Sequence, residues 1–129
     1  MSYKKALNHF LSLPEDQRKL DKGQYYSATT KCYCAIGSLA PTTKDIPEFF
    51  NTRNITSIWH DAMVEKETKI EKVVCELENL GLTRYESAGL QDTNDCIQGT
   101  PEQRYIEVVK FLTEKVAEES RKARAILAR

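Results

Sequence analysis

The sequence predicts a mainly α-helical fold, a compact single domain over residues 1–129 built from about four to six helices, with a short extended piece near residues 24–30. Three observations lead there. The chain has 129 residues, 40% apolar, which is enough for one core and too little for two. Its apolar residues recur at spacings of three and four. Its turn and cap residues mark helix ends more often than strand ends.

The first helix follows from Tyr3, Ala6, Leu7, Phe10 and Leu11, which fall on one stripe, with Ser2 placed to cap it and Pro14 to end it. Residues 17–31 follow a polar pattern, with Gly23 and the β-favouring pair Tyr25-Tyr26, so they read as an exposed loop with a short extended piece. Cys32 to Ala40 is rich in small residues and fits a short buried helix, a buried strand being the alternative. Ala35, Gly37, Ser38 and Ala40 would let another helix come close. One or two helical turns are expected around Pro47.

Asn54 is placed to cap a helix that starts at Ile55. Ile58, Trp59, Ala62 and Met63 form one stripe, and Ile70, Val73, Val74, Leu77 and Leu80 another. The two stripes are one long helix or two pieces. The charged run from Val64 to Lys69 is the place for a break, although Glu65 and Lys69 are spaced to support continuity. Gly81 marks a stop, and residues 82–99, with two glycines and a polar run, read mostly as loop. The last helix has the clearest start: Thr100 as cap, Pro101 at the first position, then Glu102 and Gln103. Tyr105, Val108, Val109, Leu112 and Val116 give its buried stripe, and the pattern runs on towards Ala128.

Composition removes several functional classes. Nineteen basic and nineteen acidic residues leave no net charge to attract nucleic acid or anionic lipid. No apolar run reaches the roughly 18 residues of a membrane span, and the first residues lack the pattern of a signal peptide. Four scattered cysteines, Cys32, Cys34, Cys75 and Cys96, suit reduced thiols, so the expected location is the cytoplasm. No cofactor motif is present: there is no Gly-rich phosphate cradle, no GxSxG and no HExxH.

Several groups of residues have types that can do chemistry. Cys34 at a helix start, with His60 as base and Asn94 or Asp95 to orient it, holds the residue types of a cysteine nucleophile, though Cys34 sits in an apolar, core-like segment. The same thiols with His60 suit zinc in type but not in spacing, because C-x-C is not a zinc knuckle. The run Asp92 to Asp95 fails as a calcium loop, lacking Gly at its sixth position and Glu at its twelfth. Lys22, Tyr25, Tyr26 and Lys31 combine cations with aromatics and suit a small anionic ligand, such as a nucleotide signal, or a protein contact. The tail with Arg121, Lys122, Arg124 and Arg129 is cationic, and Glu114, Glu118 and Glu119 dilute it.

Gly23, then Cys34-Ala35-Ile36-Gly37-Ser38-Leu39, then Asn94-Asp95 and the helix from Glu107 to Leu112 stand in a recognisable order. The chain resembles, over residues 20–115, small bacterial and phage proteins with a glycine loop, a C-A-x-G-A/S-L segment and an N-D doublet before a closing helix. No activity is established for that group. The resemblance implies a shared fold and a bacterial or phage setting, hence the host cytoplasm for a phage protein. The leading functional expectation is a non-enzymatic module that binds another protein, in the form of a phage-encoded inhibitor of a host or anti-phage defence protein. The alternatives are the cysteine-dependent enzyme and the binder of a small anionic ligand.

Overall fold

In the computed structural model, which describes residues 2–65 and 67–128, the first stripe becomes helix α1 (Lys4–Leu11), with Ala6 and Phe10 buried. Ser2 does not cap it. The cap position is Tyr3, and the backbone N–H groups of Ser2 and Tyr3 donate instead to the carboxylate of Glu119, far along the chain. A carboxylate at a helix start meets the positive end of the dipole, so a side chain from another element does the work expected of Ser2.

After a 3-10 turn at Glu15–Gln17, the chain runs to a two-stranded antiparallel hairpin, β1 (Tyr26–Ser27) and β2 (Cys32–Tyr33), with Tyr26 opposite Tyr33. The extended piece expected near residues 24–30 is therefore present, but the segment is not an exposed loop throughout, since Leu20, Tyr25 and Ser27 are buried. Cys32 to Ala40 turns out to hold both readings in succession. It begins as strand β2 and continues as helix α2 (Ala35–Leu39). Two 3-10 turns come after it, Pro41–Asp45 and Glu48–Phe50.

Asn54 caps helix α3 (Ile55–Val64), its side chain accepting from the N–H of Thr56. The two central stripes are separate helices. Glu67 starts α4 (Thr68–Asn79) by accepting from the N–H of Ile70, and this cap outweighs the Glu65 and Lys69 spacing that favoured continuity. Gly81 ends α4 with φ of 81°, while Gly81 N–H donates to Glu78 and Leu82 N–H to Leu77, the double bond of a Schellman stop.

Residues 82–99 correct the sequence reading. They form helix α5 (Arg84–Cys96), opened by a full capping box between Thr83 and Glu86. The expectation of a loop failed because the buried side of this helix is partly polar: Ser87 and Asn94 are buried beside Leu90. An apolar stripe was not there to be read. Helix α6 (Pro101–Leu127) begins at the expected Thr100–Gln103 capping box and runs 27 residues, about 40 Å at 1.5 Å per residue.

Packing joins these pieces around one hydrophobic cluster that draws on every helix, from Ala6 and Phe10 on α1 to Val108 and Leu112 on α6. Helix α3 lies against α4 and α5, α1 against α6, and α2 against α5. The described residues are 68% helical, with six α-helices and one small sheet. None of these helices is long and apolar enough to cross a membrane.

Candidate functional site

The motif residues Gly23, Cys34, Gly37 and Asn94-Asp95 converge on the segment that leads into the hairpin. Asn94, fully buried on α5, accepts from the N–H of Ala35 and donates to the carbonyl of Asp21 and to the carboxylate of Asp95. Asp95 in turn accepts from the N–H of Gly23. One side chain thus ties the start of α2 to the strand entry, satisfying backbone groups that would otherwise be buried without partners.

Gly37 lets the chain come closer still. A Cβ there would lie 2.0 Å from the carbonyl oxygen of Tyr25, which already accepts from the N–H of Cys34. The sequence suggested a close helix at this small residue. The partner is a backbone carbonyl of the hairpin.

Cys34 is buried at the cap position of α2, its sulfur accepting from the N–H of Gly37. Burial pushes the thiol up to about 12, and the Gly37 N–H lowers it only partly. His60 is exposed on α3, and no hydrogen bond joins it to Cys34 or Asn94 among the described residues. Of the expected nucleophile, base and orienting group, Cys34 and Asn94 meet through the backbone at the start of α2, Asn94 accepting from the N–H of Ala35 and Cys34 from that of Gly37. No group of three or more metal-ligating side chains forms among the described residues.

Of the four residues expected to hold an anionic ligand, Tyr25 is buried, its hydroxyl donating to the carbonyl of Arg53 and accepting from Gln91. It is part of the framework. Tyr26 and Lys31 line a cleft, a cavity of about 350 Å³ between α1, the 3-10 turn after it, the hairpin and the end of α2. Lys22 is exposed and lies outside this cleft.

Three lysines, Lys19, Lys31 and Lys44, border it against one acid, Asp16. Tyr26 and Tyr33 form its aromatic wall, with ring centroids 4.8 Å apart, and the ammonium of Lys44 stands 5.5 Å from the Tyr26 centroid. His9 and Ser38, also on the wall, share a hydrogen bond of 2.8 Å. Burial lowers the pKa of His9. Lys31 has φ of 57°, a left-handed conformation that costs a residue with a side chain about 1 kcal/mol and that glycine adopts freely. A lysine at a turn position suited to glycine is a departure that local stability does not explain.

Sequence reading missed His9, Lys19, Tyr33, Ser38 and Lys44 as neighbours. They come from separate segments, and only the fold places them together. No protein-family model, curated protein or solved structure matches the chain.

Proposed function

We propose that this protein binds a small anionic ligand in the cleft between α1 and the hairpin. The observation that carries the reading is the excess of cations, Lys19, Lys31 and Lys44 against Asp16, around a cavity of about 350 Å³ that also offers tyrosine rings and the His9–Ser38 pair. A cavity of that size is within the range of small-molecule sites, and a concave basic wall concentrates anions. The left-handed Lys31 adds to the case, because strain retained at a residue that faces a cavity is a common mark of function.

Thermal unfolding in the presence of inorganic phosphate and a set of small organic phosphates tests it. Binding to the folded state raises the melting temperature with concentration. Lys31→Gly removes the charge, relaxes the turn and so weakens the ligand-induced shift without lowering the melting temperature of the free protein. If no anion in the set stabilises the chain, the reading is wrong.

A second reading, the protein-binding module, draws on the last turns of α6. Ile126 and Leu127 are 65% and 84% exposed there, next to the cations Arg121, Lys122 and Arg124. A basic, partly apolar helix end suits a protein with an acidic surface, and the resemblance to phage proteins makes a host or defence protein the fitting target. Charge reversal at Arg121 and Arg124 would abolish capture of such a partner. Unchanged capture would remove this reading.

A further inference from the structure

The cleft between α1 and the hairpin is basic only in part. Among its lysines stand Leu13, Pro41, Tyr26 and Tyr33, all of them at least partly exposed. Apolar wall of this kind offers nothing to a bare inorganic anion, which meets no donor there in exchange for its water.

Two elements set the apolar groups beside the charged ones. Tyr26 and Tyr33 are partners across the hairpin, so their rings share one face of it, and Lys31 stands in the connection between the two strands. Pro41 and Lys44 lie in the 3-10 turn Pro41–Asp45 at positions i and i+3, where side chains fall one above the other. The Lys44 ammonium is 5.5 Å from the centroid of the Tyr26 ring. A ligand that covers the tyrosine wall therefore has a cation next to it.

Size points the same way. A closed cavity of roughly 150 Å³ holds a benzene molecule. The cleft, at about 350 Å³, has room for such a ring together with a charged group, and inorganic phosphate alone would leave the tyrosines in water.

We propose that the cleft takes an aromatic anion, a single ring bearing a charged group, with the ring against Leu13, Pro41, Tyr26 and Tyr33 and the charge among the lysines. A ring fits this wall better than an alkyl chain does, because aromatic pairs gain beyond the area they bury and a ring has no internal rotations to lose. The inference rests on the reading of the cleft as an anion site and adds the class of ligand.

Calorimetric titration of the full chain with inorganic phosphate, methyl phosphate, hexyl phosphate, phenyl phosphate and phenol tests it. Phenyl phosphate should bind about tenfold more tightly than methyl phosphate, since burying half a ring is enough for that gain, and more tightly than hexyl phosphate or phenol. Leu13→Asn should remove the gain and leave methyl phosphate binding as it was. In the wild-type protein, nuclear Overhauser contacts should join the phenyl protons to the Leu13 methyl groups, a readout that holds whether or not the variant folds. If phenyl phosphate binds no better than methyl or hexyl phosphate, or makes no contact with Leu13, this inference is overturned while the anion site stands. If no phosphate binds, or phenol binds as tightly as phenyl phosphate, both fall.

Discussion

Cys34 shows how one residue can carry the right chemistry by type and the wrong chemistry by place. Its sequence position, at a helix start in a small-residue run, fits both an activated thiol and a core thiol, and only burial decides between them. Its thiol is raised to about 12, so it stays protonated at neutral pH. Alkylation with mass-spectrometric readout should modify the exposed Cys75 and Cys96 in the folded protein, and Cys32 and Cys34 only in denaturant. Native labelling of Cys34 would contradict its burial. His9 behaves differently. Its folded pKa lies below the ordinary 6.5, so the unfolded chain takes up the proton more readily. The stability this brings is present above about pH 6.5 and is lost as pH falls through the folded value. The melting temperature should drop from pH 7 to pH 5 by more in the wild type than in His9→Gln, which keeps a polar group near Ser38; equal drops would show that the ring does not titrate as its burial requires.

Elements were legible where their signals were apolar or sat at the ends. The charged run marked the place for a break between α3 and α4, but the Glu65 and Lys69 spacing left one helix or two open; helix α6 was readable from Thr100, Pro101 and Gln103. Helix α5 was not, although Thr83 and Glu86 spell the same capping box, because its inner face is spent on Ser87 and Asn94 as well as Leu90. Polar residues on a buried face defeat a reading based on hydrophobic period. The hairpin was half legible: the β-favouring Tyr25-Tyr26 was visible, but the Tyr26–Tyr33 pairing, the carbonyl contact at Gly37 and the reach of Arg104 to Leu20 depend on residues brought together by the fold. Two substitutions rank these devices. Thr83→Ala should cost about 1 kcal/mol, the usual worth of a cap. Gly37→Ala should cost about 3 kcal/mol, because the new methyl meets a backbone carbonyl that cannot swing aside. Denaturant unfolding that gave the reverse order would mean the hairpin yields at Tyr25.

At the scale of the whole molecule, the helices act as a frame that holds one non-helical segment from both sides. Leu20 N–H donates to Pro101 at the start of α6, Arg104 reaches the Leu20 carbonyl, Asn94 holds Asp21, and the Tyr25 carbonyl sits on α2. The motif residues that looked catalytic serve this frame, and the basic cleft lies on the side of the hairpin facing α1. Which residues border the cleft was hidden in the sequence, since charge counted along the chain shows an even balance while the fold gathers three lysines at one hollow. The most direct test is an amide and side-chain NMR titration of the isotope-labelled protein with inorganic phosphate. Saturable shifts centred on His9, Lys31, Ser38 and Lys44 are the predicted result; shifts confined to the end of α6, or none at these residues, would contradict an anion site in the cleft.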